Sequence, residues 1–215
     1  MKRFAYALLA AVALTSAAAS ADQSPTNKTA TLSASESAFV ASIQKDLMAR
    51  YPTTADAERA GYVRYTSEDS TGAISYANNQ WVSDPTHPSQ LWYDKNGALI
   101  GADFSVLVSD HPSRPSLWGV DSGRWYEFDG HVHWVGRDPS TGKLTYDNYV
   151  MDHDWVPAGG SISNPSAATL VAMKKVPDAK DVVTIFHFPT VWDLIVWVKP
   201  NPNGAFAVKN PNVKP

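Results

Sequence analysis

The stretch "LWYDKNGALIGADF", residues 91–104, sets the terms for most of this chain, because two alternating apolar runs flank Asp94-Lys95-Asn96-Gly97. Asn and Gly tolerate the positive φ that a tight turn requires, so the two runs are predicted to pair as antiparallel strands. The same texture recurs in "RWYEFDGHVHWVGRDPSTGKLTY", with predicted turns at Asp129-Gly130 and from Asp138 to Gly142. "DVVTIFHF" and "VWDLIVWV" supply two later strands, ahead of a turn from Asn201 to Gly204.

Helical spacing is confined to three segments. In "SASESAFVASIQKDLMARYP" the residues Phe39, Val40, Ile43 and Leu47 recur at helical intervals, with Ser33 or Ser35 as the cap and Pro52 as the stop. "TTADAERAGY" has Thr53 or Thr54 to cap a short helix, Asp56 and Glu58 near its positive end, and Gly61 to end it. "NPSAATLVAMKKV" predicts one late helix capped by Asn164, with Pro165 at its first position. The expected fold is α+β: an antiparallel twisted sheet or half-barrel, with the N-terminal helices and the late helix packed on one side.

Residues 1–21 combine Lys2 and Arg3, an apolar run from Phe4 to Leu14, and the small-residue ending Ala19-Ser20-Ala21. That pattern predicts a secretory signal peptide cleaved before Asp22, and hence a periplasmic or secreted protein. Residues 22–33 are polar and aperiodic, a predicted flexible tail, and 34–215 form one globular domain. No later run is long enough for a membrane helix, so no membrane anchor is expected. The chain has no cysteine, which excludes disulfides and a lipoprotein anchor. Without Lys2 and Arg3, its 18 basic residues become 16 against 21 acidic ones, a formal charge of −5. Such a balance gives no reason to expect nucleic acid as a partner.

Candidate chemistry centres on "FDGHVHWVG". Residues two apart on a strand share a face, so His131 and His133 can converge on one ion while Val132 and Trp134 point the other way. His187, in an apolar strand, is the best third ligand, and Asp103 is a further one. Such a set suits a divalent Zn, Fe, Mn or Cu ion. His87 and His111 precede prolines and read as loop residues, and His153 as part of a solvated turn. Eight tryptophans are many for 215 residues. Trp155, in "DHDWVPAGG", is the one expected to be exposed, and Trp155 with Trp134 would serve a small-molecule ligand. No nucleophile elbow, phosphate loop or His-Glu-x-x-His helix is present.

"HPSQLWYDKNGALIGADFSV", "RPSLWG" and "WVKPNPNGAFAVKNPNV" together resemble a group of exported bacterial proteins of unknown function, over most of residues 55–215. In that group a Pro-x-x-Leu-x-Tyr hairpin precedes a C-terminal Asn-Pro-x-Gly-x-Phe and Asn-Pro-x-Val. The resemblance implies secretion and a compact mixed fold, and supplies no reaction. Where the group has His, His and Glu, this chain has Ser75, Leu194 and Asp103. A metal held there in the group would have lost two ligands here, or moved them to His131 and His133. Two readings stay open: an exported protein binding one divalent metal through its His-x-His strand, and a metal-free exported protein with a small-molecule or structural role built on an aromatic cleft.

Overall fold

The computed structural model describes residues 31–215; the expected signal peptide and most of the expected tail lie outside the described residues. The described residues open with α1 (Ala34–Arg50) and α2 (Thr54–Arg59). Both start with reciprocal caps: Ser33 and Glu36 exchange hydrogen bonds at α1, and Thr53 and Asp56 do so at α2. Gly61, at φ +89°, ends the second.

Among the described residues nine strands follow in two antiparallel sheets, an open α+β arrangement. In the first, β1 (Val63–Arg64), β2 (Ile74–Ala77), β3 (Gln90–Tyr93), β4 (Leu99–Leu107), β9 (Val191–Trp197) and β5 (Tyr126–Phe128) lie in that order. In the second, β6 (His131–Arg137) is flanked by β7 (Leu144–Met151) and β8 (Val182–Phe188). The short helices α3 (Asp152–Trp155) and α4 (Ala167–Ala172) connect β7 to β8. The β3–β4 hairpin turns where predicted: Gly97 has φ +76°, and Asp94 Oδ1 accepts from the backbone N–H of Asn96 and Ala98.

Each sheet carries its own helices. Val40, Ile43 and Leu47 of α1 bury against Ala102, Phe104, Val106, Leu194 and Val196 of the first sheet. Leu170 of α4 joins Val132, Trp134, Val150 and Trp155 against the second. The late helix starts later than its sequence suggested, with Ser166 rather than Asn164 as cap.

Asp129-Gly130 is not a hairpin turn. Phe128 pairs with Val191 at the end of one ladder, and His131 pairs with Phe188 at the start of the next. Two chain segments therefore cross from sheet to sheet side by side, stitched by Gly130 N–H donating to Thr190 Oγ1 at 2.9 Å. A Cβ on Gly130 would stand 2.2 Å from Asp152 Oδ2, so a larger residue at this corner would push that carboxylate aside. The corner places His131 at the junction of the two sheets.

Candidate functional site

Strand alternation sorts β6 as expected: Val132 and Trp134 enter the core under α4, while His131 and His133 face the other way. His131 is 4 % exposed and His133 half-buried. Rings surround them. Phe188 stacks on His131 at 5.6 Å and Phe128 meets its edge at 5.2 Å. Phe186 and Tyr65 lie 5.5 and 4.6 Å from His133.

The two imidazoles meet Nε2 to Nε2 at 2.8 Å. Their other nitrogens face backbone carbonyls, His131 Nδ1 at 2.7 Å from Asp129 O and His133 Nδ1 at 3.2 Å from Asn148 O. These three contacts each need one hydrogen, and two neutral rings carry only two. With both Nδ1–H groups donated to carbonyls, two Nε2 lone pairs oppose each other. Burial pushes the His131 imidazole below its ordinary value, and burial with the neighbouring His131 takes His133 down to about 3. Neutral rings with Nδ1–H anchored by carbonyls and Nε2 free are in the state that metal ligation requires. Bonds of about 2.0–2.1 Å to nitrogens this far apart would close an angle of roughly 85° at an ion.

The other expected ligands are elsewhere. His187 is the cross-strand partner of Val132, so it lies on the opposite face of the second sheet, where Nε2 contacts both oxygens of Asp152 at 3.0 and 3.1 Å. Asp103 belongs to the first sheet, 3 % exposed, where Tyr126 Oη donates to its Oδ1 at 3.3 Å. Among the described residues no group of three or more His, Cys, Asp or Glu side chains is placed to hold an ion. Neither tryptophan is available to a ligand. Trp155 is fully buried because residues 152–155 form a helical turn that directs the indole onto the second sheet, with Nε1–H donating to Ser161 O. Trp134 packs beside it. His153 is exposed, and His87 stacks on Trp81 while bonding Asp84.

Asp103 has a buried companion that sequence reasoning missed. Asp193 on β9 is 1 % exposed and pairs with Ser105 and Tyr126. Ser105 Oγ donates to Asp193 Oδ1 and lies 2.5 Å from Ser89 Oγ. Burial pushes the Asp193 carboxyl up to about 7; burial, with the negative charge of Asp193, raises Asp103 well above the carboxylate range. The pair therefore retains a proton near neutral pH. A single Asp inside the apolar run "VWDLIVWV" was the available signal. An open depression lined by Asp94, Lys95, Asn96, Lys199 and Lys214 contains none of these groups. No family model, curated protein or solved structure matches the chain.

Proposed function

We propose that this is an exported protein that binds one divalent transition-metal ion through Nε2 of His131 and His133. The observation that carries the reading is the approach of the two imidazoles Nε2 to Nε2 at 2.8 Å, each with Nδ1 beside a backbone carbonyl; when both carbonyls take the Nδ1–H, two lone pairs aim at one point. An ion there satisfies both nitrogens without disturbing either carbonyl contact. Its remaining positions open toward the half-buried side of the pair, where an ion can polarise an exogenous oxygen donor.

The test is titration of the full chain, without a histidine tag, with Zn, Cu, Mn and Fe by calorimetry and elemental analysis. The expected stoichiometry is close to one ion per chain for an imidazole-preferring metal. It should vanish in the double variant His131→Gln, His133→Gln with an unchanged circular dichroism spectrum. Stoichiometry near zero for every metal would overturn the proposal.

A further inference from the structure

The strand beside the histidines offers two donors of another kind. In the β6–β7 ladder His133 is partnered by Tyr149 and His131 by Met151. Cross-strand partners share a face, with Cβ atoms about 4.5–5.5 Å apart. A thioether and a phenol thus stand on the face that carries the two Nε2 atoms. The Tyr149 ring lies 6.0 Å from the His131 ring and 5.9 Å from that of His133, nearly equidistant, and the residue is 56 % exposed. Met151 is half-buried opposite His131. On the other side β8 contributes Phe186 and Phe188, which have no donor atoms.

Donor chemistry then selects the ion. Mg, Ca and Mn favour carboxylate and carbonyl oxygen, whereas a thioether favours copper and imidazole suits it. We propose that the site is a copper site, with Met151 Sδ as third ligand and Tyr149 Oη as fourth, both drawn from β7. The inference rests on the two-histidine reading. It adds the identity of the ion and the strand that completes its shell.

Two variants of the full chain test it, each with its own readout. Met151→Leu should weaken Cu(I) binding at least about tenfold in competition against a chromophoric Cu(I) chelator. Zn(II) binding by the same variant should stay within about twofold, since its imidazoles are untouched. Tyr149→Phe should abolish a visible phenolate-to-Cu(II) charge-transfer band that the wild-type protein shows. If copper and zinc bind wild type through the histidines but neither variant changes its readout, the copper shell is overturned and the two-histidine site stands. If one variant alone behaves as wild type, that residue is struck from the shell. If no metal binds the wild-type chain, the two-histidine reading falls and this inference falls with it.

Discussion

Replacing Asp193 with Asn should make the protein more stable at alkaline pH while changing little in acid. The carboxyl sits on β9 at 1 % exposure, on the same sheet face as Asp103, and burial pushes it up to about 7 from an ordinary 3.8. That difference of about 3 units corresponds to about 4 kcal/mol between its two protonation states. The sign is the reverse of a salt-bridged aspartate. The unfolded chain releases this proton near pH 4, whereas the folded chain holds it until about 7, so folding takes up a proton in that interval. Stability from this group is greatest below pH 4 and is lost as pH rises through 7. Between pH 5 and 8 the loss is about 2–3 kcal/mol, a large share of a net stability of about 5–15 kcal/mol. The buried histidines oppose this trend, since an unfolded chain takes up protons below about pH 6.5 that His131 and His133 refuse when folded. The informative quantity is therefore the difference between variant and wild type. Asn keeps the volume and the oxygen that Ser105 Oγ bonds, and carries no charge. Urea unfolding at pH 5 and pH 8 should show the variant gaining about 2–3 kcal/mol on wild type across the interval. A difference that is flat or falls with pH would show that Asp193 is ionised in the native state throughout, and would refute the reasoning.

The ion-binding reading predicts a thermal shift: at about a hundredfold excess over Kd, metal should stabilise wild type by about 2.7 kcal/mol and raise Tm by roughly 5–10 °C. In His131→Gln, His133→Gln that rise should disappear while the Tm of the metal-free protein stays put. Glu36→Gln breaks a buried ion pair, Arg124 Nε to Oε1 at 2.9 Å and Nη2 to Oε2 at 3.3 Å, and should cost about 3–5 kcal/mol in urea unfolding. Trp155→Ala should cost a similar amount, about 3–5 kcal/mol, because the indole is fully buried. Gly160→Ala should lose about 1–3 kcal/mol by calorimetry, since its Cβ would stand 2.3 Å from the same ring.

What the sequence determined by itself is local. Antiparallel pairing, the Asn96-Gly97 turn, the existence of a cap within residues 33–35 and within residues 53–54, and the shared face of His131 and His133 all follow from backbone stereochemistry over a few residues. Even Tyr149 and Met151 were within reach, because the turn from Asp138 to Gly142 brings β7 back along β6 and their spacing repeats that of the histidines. Other features had no local signature. Asp129-Gly130 has the composition of a hairpin turn, yet β9, some sixty residues later, takes the place beside β5 and turns it into a corner. His187 is a strand residue as expected, but its register against β6 puts it opposite Val132, and a slip of one residue would have put it on the face of the imidazoles. Trp155 resembles a loop residue until Gly160 and the core beneath α4 enclose it. Register between distant strands is chosen by the burial of whole sheet faces, a sum over residues far apart in the chain, and only the folded structure carries it out.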